Sequence, residues 1–135
     1  MKKLVILLAV FASGCTAVDA YLLGKFDNNE YMQITEIRVD AHNAAADCAS
    51  PERSRFNAAT MAYHTQIFES YAEKLPHNGD AYKSAQALNE IAQGLKTRYE
   101  GSEPVSTIFC KLKFEGIEHS ADLMAHVLGK RPRCP

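Results

Sequence analysis

Tryptophan is absent, proline and glycine are scarce at 5 and 7 residues, and no uninterrupted apolar run approaches membrane-spanning length. So little Pro and Gly excludes collagen-like and linker-like chains. Without a run of about 18 apolar residues, no segment can cross a bilayer as a folded helix. Charge of one sign is missing too: 15 Lys and Arg stand against 16 Asp and Glu, for a net −1. Such a chain offers no basic surface for phosphate backbones, so nucleic acid is not an expected partner. What is present is a 135-residue chain, 47% hydrophobic and 23% charged. It is too apolar for disorder and has the length of one globular domain.

The N-terminus reads as an address. Met1-Lys2-Lys3 is a short basic start, and Leu4 to Ala12 is apolar throughout, the n-region and h-region of a secretory signal. Ala12-Ser13-Gly14-Cys15 follows and resembles the lipobox of bacterial lipoprotein precursors. The resemblance implies diacylglycerol on the Cys15 thiol and cleavage between Gly14 and Cys15. Residues 1–14 are then a removed signal peptide and 15–26 a lipidated tether. Two or more acyl chains hold a protein at a membrane stably, at ~0.8 kcal/mol per buried CH₂. Thr16 stands where Asp would imply inner-membrane retention, so the implied location is the outer membrane, facing the periplasm. Losing Lys2 and Lys3 takes the net charge from −1 to −3, so the lipid and not charge does the anchoring.

Residues 27–129 carry four helical periods, and no comparable stretch alternates with period two. The first follows the capping residues Asp27-Asn28-Asn29-Glu30 and places Ile34, Ile37, Ala41, Ala44 and Cys48 on one face. The second starts with Ser50 as N-cap and Pro51 at the first helical position. Its apolar stripe reads Phe56, Thr60, Tyr63, Ile67, Tyr71, and Pro76 with Gly79 stop it. The third starts at Asp80 and aligns Ala81, Ala85, Leu88, Ala92, Leu95 and Tyr99. The fourth starts near Ser102 or Glu103 with Pro104 in its first turn. It aligns Val105, Ile108, Phe109, Leu112, Leu123 and Val127, and ends at Gly129. Four such helices with short turns predict an all-α, up-down-up-down four-helix bundle, followed by a basic tail over 130–135.

Beyond Cys15 the chain has Cys48, Cys110 and Cys134, which allow three single pairings in an oxidising compartment. In the expected bundle, helix 1 ends where its neighbour helix 4 begins, which favours Cys48–Cys110. Cys134 then stays unpaired on the tail, bonds another chain, or reaches back to Cys48 under a different topology.

Chemistry is sparse. Glu115, His119, Asp122 and His126, spaced 4, 3 and 4, share a strip of helix 4 and carry metal-ligating groups. His119 and His126 lie roughly 10 Å apart along the axis, too far to share an ion. A non-covalent Met/His pair, for example Met32 or Met61 with His126, is the haem-type candidate, and the Cys-x-x-Cys-His attachment motif is missing. There is no Gly-x-Ser-x-Gly, phosphate loop, His-Glu-x-x-His or Ca²⁺ loop. The expectation is a protein without catalytic residues or cofactor, and with no small-molecule substrate, that works by binding.

The order of lipobox, helix-1 Cys48, Ser50-Pro51 helix start and a final helix with Thr107-Ile108-Phe109-Cys110-Lys111-Leu112-Lys113-Phe114 resembles the small helical pilotins of type II secretion. That resemblance implies a helix-1 to helix-4 disulfide and a groove that takes a helical segment of an envelope protein. Cys134 and the basic tail depart from the pattern. Phe68, Tyr71, Leu75, Ile117 and Met124 lie off the main stripes of helices 2 and 4, and are the expected groove residues. Three other readings stand beside this one. The first is a phage- or plasmid-type superinfection-exclusion lipoprotein that blocks an outer-membrane receptor or injection machinery. The second is a structural envelope lipoprotein, and the third a metal- or haem-binding periplasmic bundle. A closed, rigid bundle with a polar tip suits exclusion, whereas splayed helices around an apolar groove suit a pilotin-like binder.

Overall fold

The computed structural model describes residues 24–133. The signal segment, Cys15, most of the tether and Cys134 lie outside the described residues. Among the described residues there are four α-helices: α1 (Asn28–Ala46), α2 (Pro51–Lys74), α3 (Gly79–Glu100) and α4 (Thr107–Gly129). A single 3₁₀ turn, Asp47–Ala49, joins α1 to α2.

The helix starts follow local chemistry. Asp27 accepts the Glu30 amide at 2.8 Å, Ser50 the Arg53 amide at 3.4 Å, and Ser106 the Phe109 amide at 3.2 Å. Each satisfies one of the amides that a helix N-terminus leaves without an intrahelical acceptor. α4 therefore starts at Thr107, later than the Ser102–Glu103 expectation. Glu103 and Pro104 instead belong to a loop whose carbonyls accept from Arg98. Asn78 precedes α3 without capping it; its side-chain NH₂ donates to Glu30 and to the Ala72 carbonyl.

Cross-helix pairs fix how the elements meet. Along α1 and α4, Glu30 meets Arg131, Arg38 meets Asp122, His42 meets Glu118, and Cys48 is bonded to Cys110. Along α2 and α3, Asn89 donates to Glu69 and Gln93 donates to the Ala62 carbonyl. α1 packs most extensively on α4 and α2 on α3, and the two pairs touch more sparingly through α1–α2 and α3–α4. The result is a helical bundle stapled by Cys48–Cys110, the pairing that the sequence favours.

The core confirms two of the four stripes. Ile34, Ile37, Ala41, Ala44 and Cys48 of the first and Ala81, Ala85, Leu88, Ala92, Leu95 and Tyr99 of the third are all buried. The stripes read for α2 and α4 are corrected. Phe56 is 71% exposed and Ile108 74%, and Tyr63, Ile67, Leu112, Leu123 and Val127 are exposed as well. α2 instead buries Ser54, Ala58, Met61, Ala62, Thr65, Phe68 and Ala72, and α4 buries Cys110, Phe114, Ile117, Ala121, Ala125 and Leu128. Two physical causes account for this. Buried Ser54 and Thr65 satisfy their hydroxyls on carbonyls of their own helix turn, so they can enter the core without a stranded donor. In α4, Cys110 must face Cys48, and that bond sets which residues i+4, i+7 and i+11 turn inward.

One end of the bundle is knotted by polar contacts. Buried Glu30 accepts from Asn78 at 2.6 Å and from Arg131 at 2.9 Å. The Phe26 amide donates to the Pro132 carbonyl, and the Arg133 guanidinium lies 4.0 Å from the Phe26 ring centre. Residues 130–133 thus fold back onto the start of α1.

Candidate binding cleft

Where α3 and α4 pack sparingly, the surface opens into a cleft of about 740 Å³. The start of α3 supplies Asp80, Ala81 and Ser84, and the end of α4 supplies Leu123, Met124, Val127 and Leu128. His77, His126, Lys130 and Arg131 border it with basic or titratable groups. Leu123 is 55% exposed and Val127 61%, so the floor of the cleft presents apolar surface to water. Met124 is half-buried and also packs against the core.

The chain enters the described fold at this place. Gly24 has φ of +71°, and a Cβ there would lie 3.1 Å from the His77 carbonyl oxygen and beside the Arg131 guanidinium. Both neighbours border the cleft. Glycine is needed for that backbone conformation and for the close approach. His77, with φ of +57°, makes the matching tight turn between α2 and α3.

The five residues expected to line a groove do not gather in one. Phe68 and Ile117 are 0% exposed and belong to the core, which corrects their assignment to a free surface. Both are apolar residues off the expected stripe, and the inward rotation of their faces puts them at the centre of the core. Tyr71 is half-buried, donating its hydroxyl to Asp27 and accepting from Asn29. Leu75 is half-buried at the α2 C-cap. Met124 alone lines the cleft. Leu123 and Val127 were legible as apolar positions, but a helical period does not say which of two apolar faces turns inward.

The helix-4 strip is not assembled into a metal site. Asp122 is paired with Arg38 at 3.1 Å. With His126 it borders a hollow of about 210 Å³ into which Arg38 brings positive charge, an unfavourable setting for a cation. Glu115 and His119 are exposed. Of the haem-type candidates, Met61 is a buried core residue and His126 is exposed.

Burial holds the Glu30 carboxyl above its ordinary 4.5, against the hydrogen bond from Asn78 and the charge of Arg131, which both pull it down. The Asp47 carboxyl is held low by the hydrogen bonds of Asn57 and then Arg53. Neither group faces the cleft floor, so these shifts belong to the scaffold.

Among the described residues, no helix is long and apolar enough to cross a membrane. Compared with protein-family models, with curated proteins and with solved structures, the chain matches none of them.

Proposed function

We propose that this protein is a lipid-anchored periplasmic binding module on the outer membrane. It works without catalysis and, in the manner of a pilotin, holds a helical segment of an envelope protein. The observation that carries this reading is the α3–α4 cleft with Leu123, Met124 and Val127 along it. Exposed apolar surface in a concave setting marks an interaction site, and amphipathic helices dock in such grooves through residues spaced i, i+3, i+4 and i+7. Arg131 is held by Glu30, so Lys130, with His126 beside it, is the border group that suits an acidic residue next to a partner helix's apolar face.

The N-terminal address fits the same picture. After cleavage, Cys15 would carry the acyl chains, and the residues from there to Gly24 span at most ~30 Å when fully extended. Because Gly24 packs beside His77 and Arg131, which border the cleft, the anchor would hold the mouth of the cleft near the lipid surface. The pairings along α1–α4 and α2–α3 favour an up-down-up-down bundle behind this anchor. An open cleft, in place of a closed bundle with a polar tip, favours a binder over superinfection exclusion.

The experiment compares complexes recovered in mild detergent from envelopes carrying wild type, Leu123→Asp, Val127→Asp or Phe56→Asp. The two cleft variants should lose the partner with the melting transition within about 0.5 kcal/mol of wild type, as for ordinary surface changes. Phe56→Asp should retain it. Retention by both cleft variants would rule the reading out.

A further inference from the structure

We propose that Glu36, Asp40 and His64 form a binding site for a first-row divalent cation, Zn²⁺ foremost, which clasps α1 to α2. Their ligating atoms all lie within 4.8 Å of one another, and His64 Nδ1 already stands 3.0 Å from Asp40 Oδ2. The site belongs to the α1–α2 interface, across the bundle from the α3–α4 cleft, and is independent of what that cleft binds.

Sequence and fold place the three groups for this task. Glu36 and Asp40 are one turn apart on α1, so their carboxylates project from the same face. His64 comes from the middle of α2, and ligands carried on helices are held more firmly than ligands on loops. Charge is the second observation. Among the described residues, neither carboxylate has a Lys or Arg partner; Asp40 pairs only with His64, and Glu36 with no cation. By contrast, Asp47 and Asp122 are each matched by an arginine. Two carboxylates with no Lys or Arg beside them leave negative charge in one spot, which a divalent ion would offset.

The ligand chemistry selects the ion. Two oxygens and one nitrogen at 2.0–2.2 Å form the three-ligand set of an open zinc site, with water in the fourth position. Ligands of one tetrahedral Zn²⁺ sit roughly 3.4 Å apart at these bond lengths. Small side-chain rotations therefore close the present spacing. The imidazole disfavours Mg²⁺ and Ca²⁺, which take oxygen. On binding, Nδ1 gives its lone pair to the metal and the ring proton resides on Nε2. The Asp40–His64 hydrogen bond is replaced by two metal–ligand bonds. All three side chains are exposed or half-buried, so the ion can enter without opening the core.

The test is equilibrium dialysis of the full chain in detergent, untagged and stripped by chelator, against Zn²⁺ in excess Mg²⁺. Bound metal is then counted by mass spectrometry. Wild type and His119→Gln should bind one Zn²⁺ per chain at micromolar affinity. His64→Gln and Glu36→Gln should each weaken binding by at least about tenfold. Glu36 is exposed, so its variant decides the matter even should His64→Gln fold poorly. No stoichiometric Zn²⁺ in wild type, or binding unchanged in Glu36→Gln, would overturn the proposal.

Discussion

Glu30 is a carboxylate placed where water does not reach, and its partners show what that arrangement costs. Asn78 and Arg131 hold its two oxygens, while burial pushes its carboxyl up from 4.5. A group whose folded value is raised contributes stability that is fully present below the unfolded value and lost as pH rises through the folded one. Arg131→Met removes the cation and leaves a buried charge without compensation. We expect a loss of about 3 kcal/mol at neutral pH. The gap to wild type should shrink as pH falls towards 4.5, because Glu30 can then be protonated in the folded state. Denaturant titrations at several pH values check this, and a gap independent of pH would contradict it. Replacing both partners, Glu30→Met with Arg131→Met, should recover most of the loss, since no charge then remains buried.

At the scale of the helix, the exposed apolar residues and the core residues of α2 and α4 have exchanged the places that periodicity suggests. Phe68→Ala should cost about 3–5 kcal/mol and Ile117→Ala about 2–5 kcal/mol, as buried large-to-small changes do. Phe56→Ala and Ile108→Ala should stay within about 0.5 kcal/mol. Thermal and urea unfolding of the four variants measures both. α1 and α3 were legible because their evenly spaced apolar stripes coincide with the buried face, Met32, Val39 and Ile91 being the large apolar residues left outside it. α2 and α4 carry two apolar faces, and large residues such as Phe56 and Leu112 weigh more in a period than Ala58 or Ser54. The cleft was legible only through Met124, since it arises from the spacing between α3 and α4 and not from any one helix. The clue for α4 was nonetheless in the chain: once Cys110 is taken to face Cys48, Phe114, Ile117 and Ala121 follow inward.

For the whole molecule, the Cys48–Cys110 bond closes a loop of 62 residues between the two most closely packed helices. The chain-entropy account gives it about 4 kcal/mol. Cys48→Ser and Cys110→Ser should each lose a similar amount, and the double variant little more, because all three lack the same bond. Non-reducing peptide mapping should recover that pair. The staple secures the end of the bundle away from Gly24, and the Glu30 knot secures the end at which the chain enters. The α3–α4 cleft opens beside this second end, so under the proposed lipid anchoring its mouth would face the membrane with the scaffold behind it. The claim most open to direct trial is that a partner occupies the cleft in the cell. A photo-crosslinking residue placed at Val127 in the full chain, in intact envelopes, should yield one discrete adduct of higher mass. The same residue at Phe56, also exposed but away from the cleft, should yield none. Adducts of equal yield from both positions, or none from Val127, would contradict the account.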